Sequence, residues 1–281
     1  MPDVSKAVLI TGCSTGIGRA TALRLASRGY NVYASARRIE SIADLEAAGC
    51  KLLQLDVCDE ASMQAAVTAV EKTEGAIGAL VNNAGYGQDG PIEEVPMDAV
   101  RRQFETNVFG LVRLTQLVLP GMRRQRWGRI VNVSSMGGKV VFPGGGFYHA
   151  TKFAVEAISD ALRFEVRPFG IDVAVIEPGV IRTQFEETSV RSMDGSATTD
   201  SPYEEFRRGV EERVRAGYNG NSVAGPDAVA KVIERAIASK HPRTRYIVTP
   251  GARAVLVLRR VLPDRAFDRF LATLFPPPRA P

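Results

Sequence analysis

Short apolar runs alternate with longer amphipathic segments along most of the chain. The runs are rich in Val, Ile and Leu, which is typical of buried strands, and the segments between them repeat their apolar residues at helical spacing. This alternation predicts an α/β protein with a doubly wound, mostly parallel sheet of seven strands, flanked by helices on both faces. The predicted strands are residues 6–11, 31–35, 51–55, 79–82, 128–134, 171–177 and 245–248.

The pattern changes after the sixth run. Residues 184–224 show helical patterns at Gln184–Thr188 and Tyr203–Tyr218, separated by a polar stretch. Residues 251–281 then form an extension, apolar with arginines at first. Its second half predicts an amphipathic helix with an apolar stripe at Phe267, Phe270, Leu271, Leu274 and Phe275. We therefore predict one domain over 1–250 and an extension over 251–281. The extension could pack over the protein's own pocket or a dimer partner, lie on an anionic membrane surface, or stay disordered.

Composition limits the classes of function and the kinds of site that the chain can have. With 281 residues, 45% of them hydrophobic, the chain can bury a large core. Its formal charge is +5, and four arginines between 123 and 129 surround Trp127. They lie between a helix end and a strand, where the helix dipole favours them, so we do not expect nucleic-acid binding. Three cysteines and two histidines without paired spacing predict neither a metal site nor disulfides. No apolar run approaches the ~18 residues of a membrane span, so we expect a cytoplasmic protein.

A glycine-rich turn follows the first predicted strand. Its sequence at 11–18 is Thr-Gly-Cys-Ser-Thr-Gly-Ile-Gly, and a helical pattern comes directly after it. Glycines let the backbone approach a ligand, and a helix N-terminus offers free N–H groups and the positive end of its dipole. The turn therefore predicts that a dinucleotide pyrophosphate binds at Gly12, Ser14, Thr15, Gly16, Ile17 and Gly18.

The end of the second strand indicates which dinucleotide to expect. An acidic residue at this place would bind the ribose 2′-hydroxyl, whereas this chain has Ala36 followed by Arg37 and Arg38. A guanidinium can instead form charge-assisted hydrogen bonds with a 2′-phosphate. We predict NADP(H) rather than NAD(H), with Arg37 as the main phosphate contact. The alternative is a solvated pair of charges that opens the next helix.

Tyr148 and Lys152 are four residues apart and share one face of a predicted helix. An ammonium near a phenol lowers the phenol's pKa from its usual value of about 10. A phenol so tuned can exchange a proton with a carbonyl or alcohol oxygen. His149 lies about 100° further around the helix, so we expect it to be a bystander or part of the pocket lining.

Together these motifs closely resemble the short-chain dehydrogenase/reductase family in its shorter, single-domain form. The resemblance covers about residues 5–185 and implies a Rossmann-type NADP-binding domain, in agreement with the strand pattern. Seven ordered motifs carry it, namely Thr-Gly-x-x-x-Gly-Ile-Gly at 11–18, Leu55-Asp56-Val57, Asn82-Asn83-Ala84-Gly85, Asn107, Val131 to Ser135, Tyr148-x-x-x-Lys152, and Pro178-Gly179-x-x-x-Thr183.

The resemblance implies roles for individual residues. Tyr148 would be the catalytic acid/base, and Lys152 would bind the nicotinamide ribose and lower the tyrosine's pKa. Ser135 would hydrogen-bond the substrate oxygen; the 13-residue gap to the tyrosine favours it over Ser134. Asn107 would kink its helix and hold a water behind Lys152. The other implied cofactor contacts are Asp56, Val57, Asn83, Ala84, Gly85, Pro178, Gly179, Val180 and Thr183.

Plainer interpretations remain open for some of these residues. Asp56 could cap the helix that begins near Asp59, and Asn-Asn-Ala-Gly could be an ordinary turn. Asn107 could be a polar helix residue without a function.

We therefore expect an NADP(H)-dependent oxidoreductase that interconverts a ketone or aldehyde with an alcohol by hydride transfer, with Tyr148 as acid/base. In this family residues 184–224 would form a substrate lid, and relatives are homodimers or homotetramers. Four aromatic residues are candidate pocket walls and suggest a fairly hydrophobic small-molecule substrate: Phe142, Phe147, Phe185 and Tyr218. The alternatives are a reductase of 3-oxoacyl thioesters and a non-catalytic regulator that senses NADP(H).

Overall fold

A single parallel sheet organises the chain. The computed structural model describes residues 4–194, 201–220, 223–275 and 277–278, and the sheet order within them is β3-β2-β1-β4-β5-β6-β7. Every neighbouring pair is parallel. The strands are β1 (Val8–Ile10), β2 (Val32–Ala36), β3 (Lys51–Gln54), β4 (Ala79–Asn82), β5 (Gly128–Val133), β6 (Ile171–Glu177) and β7 (Arg245–Ile247). The predicted fold class is thus confirmed.

Helices connect the strands and continue past the last one. Two adjoining helices, α3 and α4, are joined through a π-helical segment at Glu105–Phe109. The α-helices of the described residues are α1 (Gly16–Ser27), α2 (Glu60–Glu74), α3 (Met97–Phe104), α4 (Gly110–Gln125), α5 (Gly146–Val166), α6 (Phe185–Asp194), α7 (Glu204–Tyr218), α8 (Pro226–Ala238), α9 (Pro250–Val261) and α10 (Asp264–Ala272).

The sheet separates two apolar cores because successive strand residues point to opposite faces. Val8 and Ile10 of β1 belong to one core, which α1 and α8 cover with residues such as Leu25 and Ile233. Leu9 belongs to the other core. Helices α2 and α4 cover that second face with residues that include Met63, Val67, Leu114 and Met122. Both faces of the central strands β1, β4 and β6 are buried, which explains why these strands are nearly continuous apolar runs.

Strand ends lie within two residues of their predicted positions, but the region after β6 differs more from the prediction. The helix predicted at Gln184–Thr188 begins one residue later and continues to Asp194, inside the stretch expected to be polar loop. The second predicted helix is α7. The rest of the polar stretch, residues 195–200, and residues 221–222 of the predicted lid lie outside the described residues.

The arginines around Trp127 do not form one exposed basic face. Arg129 is buried, pairs with Asp172 at 2.7 Å and lies 5.1 Å from the centroid of the Trp127 ring. Arg124 approaches Glu71 of α2 at 3.5 Å. Arg129 and Arg124 therefore connect neighbouring elements of the fold.

The extension folds into α9 and α10, which meet at an angle set by Pro263. Thr249 caps α9 by accepting a hydrogen bond from the Ala252 N–H at 3.2 Å. Arg259 of α9 pairs with Asp264 of α10 at 2.6 Å. Of the predicted stripe, Phe267 is buried, and Phe275 packs against the apolar cluster formed by α6 and α7. No helix among the described residues is long and apolar enough to span a membrane.

Candidate active site

A large cleft opens at the carboxyl ends of the neighbouring strands β1 and β4. The helix that follows β1, α1, covers one face of the sheet, whereas the chain after β4 continues to α4 on the other face. The volume of the cleft is about 1470 Å³. This edge, at the carboxyl ends of parallel strands and at the switch point of the sheet, is where doubly wound folds bind ligands. The cleft is lined by residues from many segments, namely the glycine-rich turn, the ends of β2, β4 and β5, helix α5, the lid helices and the extension.

The glycine-rich turn forms one wall of this cleft. Gly12 and Gly16 have φ angles of 72° and 58°, which other residues rarely adopt. A Cβ on Gly18 would lie 2.3 Å from the Gly12 carbonyl oxygen, so this glycine allows α1 to pack beneath the turn and does not itself line the cleft. Thr15 at the start of α1 forms no side-chain cap, which leaves the first N–H groups of the helix available to an anion. The predicted residues that do line the cleft here are Gly12, Ser14, Thr15, Gly16 and Ile17.

Asn83 fastens the loop after β4 to this turn. Its Nδ2 donates to the carbonyl oxygens of Thr11 at 2.8 Å and Gly12 at 3.1 Å. In return, Oγ1 of Thr11 accepts from the N–H groups of Asn83 at 3.0 Å and Ala84 at 2.9 Å. These bonds hold the turn open at a fixed shape. The Asn83 side chain is therefore a structural brace, while Asn83, Ala84 and Gly85 also line the cleft as predicted.

The end of β2 presents basic side chains to the cleft. Arg37 is exposed there, and its guanidinium forms no hydrogen bond or ion pair within the described part of the chain. Arg38 lies beside it, and Arg102 of α3, which the sequence did not single out, lines the same cleft. Arg37 and Arg102 both act electrostatically on the Tyr86 phenol, which places them at one end of the cleft.

Asp56 and Val57 also line this end. Oδ1 of Asp56 accepts from the N–H of Cys58 at 2.9 Å, which closes the turn after β3. Asp59, whose side chain accepts from the Ala61 N–H at 3.1 Å, is the cap of α2. The alternative in which Asp56 caps this helix is therefore wrong.

Ser135, Tyr148 and Lys152 come together at the other end of the same cleft. The Ser135 side chain follows β5 and hydrogen-bonds the Tyr148 hydroxyl. Ser134 points elsewhere: its Oγ is buried close to Gly138 and has no partner among the described residues. Lys152, which is 6% exposed, donates from Nζ to the Val133 carbonyl oxygen at 2.9 Å. The geometry thus favours Ser135 over Ser134, as the spacing did.

Burial controls the protonation of this pair. It raises the pKa of Tyr148 to about 12, although the hydrogen bond with Ser135 acts in the opposite direction. It lowers the pKa of Lys152 to about 8. Lys152 Nζ lies 5.8 Å from the centre of the Tyr148 ring, with the Val133 carbonyl as its partner. In this arrangement the pKa of Tyr148 is therefore raised and not lowered: desolvation is the largest influence, and the other two come from Ser135 and Asp89 and not from Lys152.

Asn107 lies at the centre of the π-helical segment, where the Gly110 N–H bonds to the Glu105 carbonyl five residues back. Its Nδ2 donates to the Tyr86 carbonyl at 2.9 Å and to Thr151 Oγ1 at 3.1 Å. Its Oδ1 accepts from the Tyr86 N–H at 3.0 Å. The π-helical segment lies where the resemblance implied a kink, and the Asn107 side chain connects α5 to the loop after β4.

The third segment of the resemblance reaches the cleft after β6. Pro178, Gly179, Val180 and Thr183 all line it. A Cβ on Gly16 would lie 3.2 Å from Cγ2 of Thr183, so this loop lies against the glycine-rich turn. A Cβ on Gly179 would lie 2.2 Å from Oγ1 of Thr249, which is how the start of α9 comes to lie beside the cleft.

Three of the four predicted aromatic walls line the cleft: Phe142, Phe185 and Tyr218. The Phe185 ring is 5.3 Å from that of Tyr148. Phe147 is a wrong prediction. It packs instead with Val95, Val100 and their neighbours in a separate cluster, because its position on α5 turns it towards α3. The sequence missed the extension's share of the cleft, which is Val255, Phe270, Leu274 and Phe275.

The sequence also missed Asp89, and it left two alternatives open for His149, a bystander or part of the pocket lining. Both line the cleft beside Tyr148. Asp89 follows the Asn-Asn-Ala-Gly loop, where an isolated acidic residue is normally solvated, so no sequence signal marks it. Within the described residues, no group of three or more His, Cys, Asp or Glu side chains is arranged to hold a metal ion.

Comparison with known proteins identifies relatives of this chain. A family model described as short chain dehydrogenase matches residues 6–194. The chain is 37% identical over 269 residues to "Uncharacterized oxidoreductase YbbO" of Escherichia coli strain K12, which covers 95% of this chain and 94% of that protein. It is 36% identical over 271 residues to a 3-ketodihydrosphingosine reductase of Bacteroides thetaiotaomicron, which covers 95% of this chain and 97% of that protein.

Solved structures share the fold along almost the whole chain. A short chain dehydrogenase/reductase from Burkholderia phymatum in complex with NAD superposes with a TM-score of 0.80 and 25% identity, covering 99% of this chain and 98% of that one. The closed form of a serine dehydrogenase complexed with NADP+ gives a TM-score of 0.76 and 27% identity, covering 87% of this chain and 94% of that one. The two structures hold different dinucleotides, so similarity alone does not choose between NAD and NADP.

Proposed function

Because the chain belongs to the short-chain dehydrogenase/reductase family, we propose that it is an NADP(H)-dependent oxidoreductase that interconverts a ketone or aldehyde with an alcohol. One observation supports this most directly. The Ser135–Tyr148–Lys152 cluster and the glycine-rich turn line the same cleft, so a proton-transfer group and an anion-binding helix terminus serve one site. The apolar part of the cleft suits a fairly hydrophobic substrate.

The residues present fit a dinucleotide. A Cβ at Gly12 would lie 3.0 Å from Cα of Ala84, so a glycine here lets the turn and the loop after β4 pack closely beside the cleft. The first N–H groups of α1 have no side-chain cap, which leaves them available to the pyrophosphate. When bound there, a nicotinamide dinucleotide supplies or takes up the hydride of the reaction. The residues proposed to hold it are Gly12, Ser14, Thr15, Gly16, Ile17, Asp56, Val57, Asn83, Ala84, Gly85, Pro178, Gly179, Val180 and Thr183, with Gly18 as support from below.

Tyr148 is proposed to be the proton donor for reduction and the acceptor for oxidation. With a pKa near 12 the phenol stays protonated at neutral pH, which suits donation to a carbonyl oxygen. Ser135, already hydrogen-bonded to the phenol, is placed to donate to the same oxygen as charge develops. Lys152 and Asn107 are proposed to return a proton to the phenol. Gly85 supports this: a Cβ there would lie 3.1 Å from Asn107 Oδ1 and 3.7 Å from Lys152 Nζ, so the three residues meet.

NADP(H) is the preferred dinucleotide in this proposal. Arg37 and Arg38 follow β2 where an acidic residue would select NAD(H), and both are exposed to the cleft without a carboxylate partner among the described residues. Arg102 adds a third positive charge to the lining of the same cleft.

Tyr148→Phe tests the function. Purified protein is mixed with NADPH and ketones or aldehydes from small and polar to steroid-sized, with an acetoacetyl thioester included, and NADPH absorbance is followed. We expect the variant to lose about 10²- to 10⁴-fold in kcat while NADPH affinity is kept. Tyr30→Phe, which removes a phenol hydroxyl outside the cleft, is the matched control and should retain activity. Full turnover by Tyr148→Phe would contradict the proposed role.

The panel also separates the alternatives. Turnover of the thioester but not of free apolar ketones would identify a 3-oxoacyl-thioester reductase. Tight NADPH binding without turnover of any compound would favour a protein that senses its cofactor.

We also propose a homodimer or homotetramer in the cytoplasm. The exposed apolar residues Phe109, Phe153 and Phe164 lie on the outer surface of the π-helical segment and α5, where copies of the chain could pack. Light scattering in solution measures the mass directly, and a single-chain mass would reject this assembly.

A further inference from the structure

Asp89 and His149 are the polar side chains beside Tyr148 that the proposed mechanism does not use. The Asp89 N–H donates to Ser192 Oγ at 2.9 Å and its carboxyl hydrogen-bonds Ser189, so α6 fixes it in place. The His149 ring lies 5.6 Å from the ring of Tyr148. Both residues approach the same point of the cleft wall: a Cβ on Gly145 would lie 2.8 Å from Nε2 of His149 and 3.5 Å from Oδ1 of Asp89.

The tautomer of His149 follows from its partner. Nδ1 is 3.0 Å from the Gly137 carbonyl oxygen, which can only accept a hydrogen bond, so Nδ1 must carry the proton. Burial lowers the pKa of His149 to about 4, which keeps the ring neutral at physiological pH. Nε2 is then a bare acceptor at the wall of the cleft.

Asp89 adds a negative charge to this acceptor. Burial raises the pKa of its carboxyl to about 6, so the group is mostly ionised at neutral pH. Among the side chains that the structure describes, no lysine, arginine or histidine forms an ion pair with Asp89. A carboxylate held in a half-buried, largely apolar wall without a cation is unfavourable unless a ligand supplies the charge.

The surroundings of the two acceptors are apolar. Phe142 lies 5.7 Å from the His149 ring, and Phe185 lies against Tyr148 on the lid side. Further apolar side chains line the cleft from the lid and the extension, namely Val210, Val214, Phe270, Leu274 and Phe275. A ligand that matches both the two acceptors and the apolar lining would be cationic near the reacting carbon and apolar beyond it.

We propose that Asp89 and Nε2 of His149 bind a primary ammonium that the substrate carries within one or two carbons of its carbonyl, so that the substrate is an amphiphilic amino ketone or amino alcohol. This rests on the proposed function, because it names the substrate class of the same site. An ammonium has three donors and no acceptor, which matches two acceptors and one negative charge. A hydroxyl has a single donor and leaves the carboxylate unpaired, and a substrate carboxylate would be repelled.

The test compares two alcohols of equal chain length, 2-aminododecan-3-ol and dodecan-3-ol, as substrates with NADP+. We expect the wild-type kcat/KM to favour the amino alcohol by about 10- to 100-fold, as for a charge-assisted hydrogen bond of ~1.5–3 kcal/mol. In Asp89→Asn this preference should fall to within about threefold of equality. The ratio is the readout, because Asp89 also acts on Tyr148, and that effect and any loss of folded protein apply to both alcohols alike.

Asp98→Asn is the matched control, since Asp98 is exposed and pairs with its neighbour Arg101 on α3. It should keep the wild-type preference. A wild-type enzyme that oxidises dodecan-3-ol as well as the amino alcohol would overturn the inference and leave the proposed function standing. An Asp89→Asn variant that retains the preference would also overturn it.

A binding experiment covers failure of the proposed function itself. If wild type oxidises neither alcohol nor turns over any carbonyl of the panel, the proposed function fails. Calorimetric titration of the NADP+-loaded protein with decylammonium and with decanol then decides the inference alone. Tighter binding of decylammonium that Asp89→Asn removes supports the ammonium site, and equal binding of the two ligands overturns it.

Discussion

At the scale of single residues, the position of Arg37 in the fold determines what its side chain can bind. It follows Ala36 at the end of β2, exposed to the cleft and without a carboxylate partner among the described residues. The same residue within a helix surface would be a solvated charge. At this edge of the sheet it lines the same cleft as the glycine-rich turn, where a guanidinium suits the 2′-phosphate of a bound dinucleotide, and this is the basis of the NADP(H) proposal.

Arg37→Ala should lower kcat/KM with NADPH about 10- to 100-fold and change kcat/KM with NADH little, because only NADPH carries the 2′-phosphate. Steady-state kinetics with both dinucleotides measures this. Arg28→Ala, at the far end of α1 and paired with Glu234, is the control and should change neither value. An unchanged ratio of NADPH to NADH efficiency in Arg37→Ala would assign the phosphate contact to Arg38 or Arg102, or favour NAD(H).

At the scale of elements, the extension is the part whose role the structure changes most. Three interpretations were open for residues 251–281, and the structure places α9 and α10 against the cleft of the same chain. Phe270 and Leu274 line the cleft, and Phe275 contacts the cluster of Val190, Met193 and Val210 beneath the lid helices. The apolar stripe is therefore directed inward, so packing over the protein's own pocket is the interpretation that the structure supports.

Phe270→Ala should raise KM for steroid-sized ketones about tenfold and leave KM for small ketones nearly unchanged. Loss of a half-buried aromatic ring removes roughly 1.5 kcal/mol of apolar contact, and only a large substrate reaches it. Arg269→Ala, on the exposed side of α10, is the control. Equal KM changes for large and small ketones would contradict this role.

The membrane interpretation has its own experiment. Sedimentation with anionic liposomes compares the full chain with a chain ending at Val261. Lipid binding by the full chain that is lost on truncation would show that the stripe can also face a bilayer.

At the scale of the whole molecule, a buried charge cluster joins the sheet edge to α5. Arg245 of β7 forms ion pairs with Glu156 at 3.0 Å, with Glu177 at 3.2 Å and with Asp160 at 2.7 Å. Glu156 and Glu177 are 3% and 2% exposed, so two carboxyls share one guanidinium in a dry place. Burial and the neighbouring Glu156 together raise the pKa of Glu177 to about 7.

This pKa makes stability depend on pH in a defined direction. The folded-state pKa of Glu177 lies above the usual 4.5, so folding favours the protonated form. The stability that this group contributes is complete below pH ~4.5 and is lost as pH rises through ~7. Other titrating groups act in the wild type and in a variant alike, so their effects cancel in a difference between the two.

Glu177→Gln should therefore gain in Tm relative to wild type as pH rises from about 5 to about 8, because glutamine stays neutral throughout. Thermal unfolding at several pH values measures the difference. Glu165→Gln, at an exposed position of the same helix that carries Glu156, is the control and should show no such trend. A Tm difference for Glu177→Gln that is constant over this range would show that Glu177 is ionised throughout.

Much of the fold and half of the site could be predicted from sequence because they depend on local rules. Continuous apolar runs become strands buried on both faces, and glycines with positive φ and a helix start are recognisable without neighbours. The four-residue spacing of Tyr148 and Lys152 fixes a shared helix face. The choice of Ser135 over Ser134 came from the family resemblance, through the 13-residue gap to the tyrosine.

What only the tertiary structure decided depends on contacts between segments distant in the chain. Nothing in the sequence distinguishes Phe147 from Phe142, yet the Phe147 ring packs against residues of α3 and the Phe142 ring lines the cleft. The direction of the Tyr148 pKa follows from desolvation by the lid, which no spacing reveals. Asp89 becomes a candidate ligand-binding residue only because Ser189 and Ser192 of α6, about 100 residues away in sequence, hold it beside His149. Sequence fixes local conformation and periodicity, whereas burial and the electrostatic environment of a group are properties of the packed molecule.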